Sequence, residues 1–255
     1  MSDELHVRAY GPVDGPPVLA LHGVTGHSAR WKVLADRLPR LRILAMDLRG
    51  HGRSTWNPPW SIEQHVADAL AVLDAAGLPR VAVLGHSYGA AIALHLAHAA
   101  PERIERLALL DPALGLDPRD MLLAAEDSRL DETFADLTAA RAHRAIRWAG
   151  IADELVEAEL AEHLVEDGDR LRYRYCQSAV VAAWSEMARP PVLPPAGVPT
   201  LLVPAMQAEF VKPRWVKACR AALGDALTVA EVDAGHMVFL ELPDEVAGLL
   251  RTFLH

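Results

Sequence analysis

Six short, mostly apolar runs, most of them followed by a longer stretch with helical spacing, limit this chain to few folds. Val18-Leu19-Ala20-Leu21, Ile43-Leu44-Ala45-Met46, Val81-Ala82-Val83-Leu84, Leu107-Ala108-Leu109-Leu110 and Leu201-Leu202-Val203 contain no polar residue, and Leu227 to Val232 closes the series. Such strands are buried on both faces, as happens when helices cover a mostly parallel sheet. The spacing predicts helices over Ser28 to Arg37, Ser61 to Ala76, Tyr88 to Ala99, Arg214 to Leu223 and Asp244 to Phe253. Breakers such as Gly77 and Pro101 end them. Leu5 to Tyr10 reads as an antiparallel edge strand. The fold class is α/β.

The alternation stops after Asp111-Pro112 and resumes near Thr200. Between them lies an Ala-, Glu- and Arg-rich stretch ending in the proline-dense Arg189 to Pro195. Residues 112 to 190 therefore read as a mainly helical insertion in a core formed by 1 to 111 and 191 to 255. One extended piece is expected inside it, because Asp167-Gly168 signals a turn and Arg170 to Tyr175 alternates with period two.

Twenty-five basic residues against 34 acidic ones leave a formal charge of −9, which argues against nucleic-acid partners and anionic membranes. No run approaches the roughly 18 apolar residues of a membrane span. The start, Met1-Ser2-Asp3-Glu4, is acidic and lacks the form of a signal peptide. Two cysteines, Cys176 and Cys219, without CxxC spacing, read as reduced thiols of a cytoplasmic protein.

Gly85-His86-Ser87-Tyr88-Gly89 follows one apolar run and opens a helix. G-x-S-x-G in that context is a nucleophile elbow: a sharp turn lifts the serine above the sheet, and the flanking glycines relieve the crowding. Ser87 then needs a base. Of 12 histidines, His236 is the candidate, because Asp233-Ala234-Gly235-His236 is a loop following the last strand, where ligand crevices form. His95 and His98 lack partners for a metal site, and His6, His143, His163 and His255 read as surface residues. The base needs a carboxylate. Glu209 is the only acid in the loop Pro204 to Pro213 and is the first choice; Asp111, ending the preceding strand, is its rival. Oxyanion donors are expected from the backbone amides of Tyr88, after the nucleophile, and Val24, turned inward by Gly23. His22 can shape that loop by hydrogen bonding.

Together these motifs resemble the α/β-hydrolase superfamily over nearly the whole chain. Leu21-His22-Gly23 looks like its oxyanion loop, Asp47-Leu48-Arg49-Gly50-His51-Gly52-Arg53-Ser54 like its loop after the fourth strand, and Asp233 to His236 like its histidine loop. The resemblance implies a mostly parallel eight-strand sheet and places a cap at 112 to 190. The acid loop departs from the family pattern, with Ala205 and Glu209 where Gly and Asp are common. A serine at 87 argues against the branches that attack through aspartate.

The expected function is a serine hydrolase acting on carboxylic esters of small or medium apolar substrates through an acyl-enzyme, without metal or organic cofactor. Lactone opening, C–C cleavage, acyl transfer and perhydrolysis use the same triad and stay open. A hydrolase-fold protein that binds a ligand without turnover is the rival outside enzymes. Trp148, Trp184 and Met187 are candidate pocket residues, with Phe134, Tyr173 and Tyr175 behind them and packing within the cap as the plain alternative. Arg141, Arg144 and Arg147 fall on one helical face, read as solvated. No residue pattern marks an oligomer interface.

Overall fold

The computed structural model describes residues 4–130 and 132–254. The acidic start, apart from Glu4, and His255 lie outside the described residues. In chain order the core begins with β1 (Val7–Tyr10), β2 (Pro17–Leu21), α1 (Lys32–Ala35), β3 (Arg42–Met46), α2 (Ile62–Ala75), β4 (Val81–His86), α3 (Tyr88–Ala99) and β5 (Ile104–Leu110). Then come α4 (Pro118–Asp127), β6 (Thr133–Phe134), α5 (Leu137–Arg147), α6 (Asp153–His163), β7 (Leu164–Asp167), β8 (Arg170–Tyr173) and α7 (Gln177–Met187). The core resumes with β9 (Thr200–Val203), α8 (Pro213–Leu223), β10 (Leu227–Val229), α9 (Val238–Glu241) and α10 (Pro243–Phe253).

Seven strands form the main sheet in the order β1-β3-β2-β4-β5-β9-β10, parallel except for β1. The family likeness implies eight, so the expectation is one strand too many among the described residues. The segment before β1 is already committed: the Thr55 amide donates to Glu4 O and the Asp47 amide to His6 O. Those bonds tie it to the loop after β3 rather than to another strand.

The apolar runs behave as their composition demands. All six residues of β4 are buried, and two apolar clusters cover the opposite faces of the sheet. On one face Trp31 stacks on Phe239 with ring centroids 4.8 Å apart. On the other, α2 packs Ile62, Val66, Ala69 and Leu73 inward, and Ser61 caps it by accepting from the Gln64 amide at 3.3 Å. The helix expected over Ser28 to Arg37 is shorter, a 3-10 turn (Ser28–Trp31) running into α1.

Segment 112–190 contains the helices α4 to α7 and a three-stranded antiparallel sheet, β6-β8-β7. Its sequence alternation at Arg170–Tyr173 is β8, paired with β7 across the Asp167-Gly168 turn, where Gly168 takes φ +63°. Among the described residues, no helix is long and apolar enough to cross a membrane.

Candidate active site

Ser87 sits between β4 and α3 with φ 55° and ψ −122°, a conformation that a side chain rarely adopts. The turn is crowded on both sides. A Cβ on Gly89 would lie 2.1 Å from Leu21 O, and one on Gly85 would lie 2.6 Å from Ala90 Cα. Only glycine fits either position, as the elbow motif requires.

His236 reaches the serine from the loop before α9. Its Nε2 is 2.8 Å from Ser87 Oγ, and its Nδ1 is 2.5 Å from Asp111 Oδ2. A carboxylate oxygen accepts, so Nδ1 carries the proton and Nε2 offers its lone pair to the hydroxyl. Asp111 follows β5 directly and is fully buried, with φ 39°. Its own amide donates to Val203 O at 2.8 Å, and its Oδ1 accepts from the Ala205 amide at 3.1 Å.

Glu209, the first choice for the acid, is exposed and stands outside this relay. The backbone explains the correction. Amides of Met206 and Gln207 bond to Val232 O and Ala234 O, stitching the loop beside β10 and leaving Glu209 on its solvent side. Its neighbour Phe210 faces inward instead and stacks on the His236 ring at 4.0 Å, with 25° between planes. Sequence reasoning missed Phe210. An apolar residue beside the expected acid was its only signal.

The two expected oxyanion donors flank the serine. Gly23 packs so closely that a Cβ there would lie 2.8 Å from Ser87 Cβ, and Val24 lines the cavity containing Ser87 and His236. Tyr88 is the first residue of α3, so its amide belongs to the helix's unpaired first turn and its positive dipole end. Its ring points away into the core, edge-on to His65 at 5.7 Å.

The cavity is about 370 Å³ and is lined by Val24, Tyr175, Val180, Trp184 and Phe210, with Asp127, Glu132 and Arg147 adding charge. Arg147 pairs with Glu132 at 2.8 Å. Trp184 is thus where it was expected; Trp148 and Met187 are not. On α7 the face carrying Val180 and Trp184 turns to the cavity, whereas Ala183 and Met187, about 60° round the helix from that pair, are buried in the core. Trp148 is wedged between two guanidinium groups, Arg30 at 5.1 Å and Arg144 at 5.0 Å from its ring. Arg144 is itself buried, so the arginine face of α5 is not uniformly solvated. A larger cavity of about 620 Å³, beside Arg8, Arg30 and Leu240, contains neither Ser87 nor His236, so size alone does not locate the chemistry.

Two further histidines are buried, and only His86 touches the site. His86 is buried and its Nε2–H donates to His236 O at 2.8 Å, which steadies the loop carrying His236. Burial, reinforced by the nearby His236, holds the His86 pKa well below the ordinary value. His163, expected at the surface, is 1% exposed. It lies with His27 and Glu159 in the one metal-ligand-type cluster among the described residues, its ligand atoms within 4.8 Å of one another. That set does not suit a cation. Arg30 holds both Glu159 oxygens, at 3.0 and 2.6 Å, and Arg144 stands 3.6 Å away. It is a buried ion-pair network joining α6 to the turn before α1.

Residues 16–243 match the model of the alpha/beta hydrolase fold family. The chain belongs to the α/β-hydrolase family. Among its relatives, Lipase LipV of Mycobacterium tuberculosis is 41% identical over 255 residues, covering 98% of each chain. Among solved structures, E-2-(acetamidomethylene)succinate hydrolase superposes with a TM-score of 0.87 at 21% identity, over 98% of this chain and 94% of that one. The enol-lactonase of Burkholderia xenovorans LB400 superposes with a TM-score of 0.77 at 22% identity, over 98% and 96%. At those identities the two structures speak for the fold of this hydrolase alone.

Proposed function

We propose that the chain is a serine hydrolase that cleaves carboxylic esters of small or medium apolar substrates through an acyl-enzyme. The observation that carries this is the hydrogen-bonded relay from Ser87 through His236 to Asp111, at 2.8 and 2.5 Å. Nothing about packing requires a strained serine, an imidazole and a buried carboxylate in line; nucleophilic catalysis requires all three. His236 Nε2 takes the Ser87 proton as Oγ attacks the ester carbonyl. Asp111 holds the ring in the accepting tautomer and balances the imidazolium. The amides of Val24 and Tyr88 hold the oxyanion. His236 then protonates the departing alcohol, and water activated by the same ring releases the acid.

Segment 112–190 acts as a cap in this reading, because Tyr175, Val180 and Trp184 supply one wall of the cavity. A volume near 370 Å³ lies at the low end of small-molecule sites and suits a short or medium acyl group. A relative named a lipase supports ester substrates. The reading asks for no cofactor or macromolecular partner and suits a cytoplasmic enzyme with free Cys176 and Cys219.

The test is labelling by a fluorophosphonate probe together with turnover of p-nitrophenyl esters of rising acyl length, alongside lactones. Wild-type protein labels at Ser87 and favours short or medium esters; Ser87→Ala loses both activities. A folded wild type that neither labels nor turns over any ester refutes the proposal. Faster turnover of lactones would move the substrate class.

A further inference from the structure

The loop bearing Val24 is held from two sides. The Gly23 carbonyl accepts from the Gly26 amide at 2.9 Å, closing a turn in which Thr25 takes φ 59°. The same carbonyl is 2.8 Å from His22 Nδ1. On the far side of its ring, His22 Nε2 accepts from the Leu48 amide at 2.9 Å. These partners determine the proton positions completely. A carbonyl only accepts, so Nδ1 carries hydrogen; a backbone amide only donates, so Nε2 is bare. His22 is 1% exposed, and burial, with His51 beside it, keeps it neutral by pulling its pKa well below the ordinary value.

A trans peptide sets its C=O and N–H on opposite sides of one plane. Fixing the Gly23 carbonyl toward His22 and Gly26 therefore turns the Val24 N–H to the other side, where Val24 lines the cavity with Ser87. From this geometry we infer that His22 is a positioning residue for the oxyanion hole. It clamps the Gly23-Val24 peptide to the loop after β3 and never touches substrate. The inference rests on the esterase reading, and it explains why a fully buried imidazole occupies a place where an apolar side chain would cost less to desolvate.

His22→Leu keeps the bulk and loses both bonds. His22→Asn keeps a donor the same number of bonds from Cα as Nδ1, whereas His22→Gln moves it one bond further out. The readouts are the rate constant for fluorophosphonate labelling of Ser87, kcat and KM on a p-nitrophenyl ester, affinity for a boronic acid that forms a tetrahedral adduct, and thermal midpoint. Loss of one oxyanion donor costs about 10²–10³-fold, so misaligning it lowers kcat and labelling rate by at least about tenfold in His22→Leu. Boronate affinity falls in parallel while KM stays within about threefold, and His22→Asn recovers most of the loss. If His22→Leu does not fold, the contrast of His22→Asn with His22→Gln decides.

Wild-type labelling and boronate affinity in a folded His22→Leu protein overturn the inference. Equal damage in His22→Asn and His22→Gln also overturns it, because a packing role would not respect the donor's place. Failure of the esterase reading shows separately, as a wild type without ester turnover.

Discussion

Replacing Asp111 by Asn changes one atom of the relay and reverses its hydrogen-bond sense. Asp111 Oδ1 accepts from the Ala205 amide at 3.1 Å while Oδ2 faces His236 Nδ1 at 2.5 Å. In the Asn variant the amide oxygen keeps the Ala205 bond, because a backbone N–H cannot face an NH₂ group. The NH₂ then points at Nδ1 and forces it to accept. The ring proton moves to Nε2, which becomes a donor toward Ser87 Oγ and can no longer take its proton. Asp111 is fully buried, so water cannot substitute for the lost acceptor. The equivalent change in serine proteases lowers kcat about 10⁴-fold, or about 5.4 kcal/mol at 1.36 per tenfold. The same loss is expected here in p-nitrophenyl butyrate turnover, with the fold intact by circular dichroism. Glu209→Gln, on an exposed side chain, stays within about twofold of wild type, as surface changes do. If Glu209→Gln cripples turnover and Asp111→Asn does not, the geometric assignment of the acid is wrong.

Gly23→Ala puts a methyl group 2.8 Å from Ser87 Cβ and 3.3 Å from Oγ, so the oxyanion loop must retreat. A kcat loss of about 10²-fold with little change in thermal midpoint is expected, and near-wild-type turnover refutes it. Glu159→Gln leaves the buried charges of Arg30 and Arg144 uncompensated, for about 3–5 kcal/mol and a fall in midpoint of roughly 6–20 °C in a thermal melt. An unchanged melt would show that the network does not hold α6 in place. Stability also falls on the acid side of neutrality. Burial holds His22, His86 and His163 well below 6.5, and lowers His51 to about 4 and His65 to about 3. The unfolded chain therefore takes up protons first as pH drops through 6.5. Each group removes up to about 1.36 kcal/mol per pH unit until its folded pKa is reached. Glu159 acts with the same sign below about pH 4.5: burial alone would raise its pKa, but Arg30 and His27 outweigh it. Melting midpoints that stay flat between pH 7 and 5 would contradict this. Val180→Phe, in the cavity wall, shortens the longest p-nitrophenyl acyl chain accepted and leaves acetate turnover within about threefold; unaltered chain-length preference refutes the cavity's role.

The features legible in the sequence are those in which local covalent demands and function coincide. Gly85, Ser87 and Gly89 announce the elbow because the turn is crowded enough to exclude any side chain at its flanks. His236 follows because the C-terminal ends of parallel strands converge on one crevice. Pocket residues were harder: Trp184 and Met187 lie three apart on α7, and helical spacing does not say which face meets the cavity and which the core. Trp148 reads as a pocket residue from its helix alone, but Arg30, distant in sequence, captures it. His163 read as a surface residue for the same reason, since its burial depends on His27 stacking on it at 4.7 Å.

The carboxylate partner of His236 is the instructive case, because chain order admits both candidates and only three-dimensional placement separates them. β5 and β9 are hydrogen-bonded neighbours, with Leu110 opposite Val203, so their following loops start side by side beneath His236. A carboxylate from either loop satisfies the order nucleophile, acid, histidine. What decides is the distance each side chain must travel. Asp111 leaves β5 at once, in a left-handed conformation that aspartate tolerates better than most residues, and its short side chain meets Nδ1 directly. Glu209 comes six residues after β9, beyond a stretch stitched to the β10 side, and is already in solvent. The adjoining Phe210 stacks on the imidazole, so the loop after β9 still meets His236, through a ring contact instead of a charge. A left-handed φ at a buried aspartate ending a strand thus brings a carboxylate to His236, which the carboxylate in the expected loop does not do.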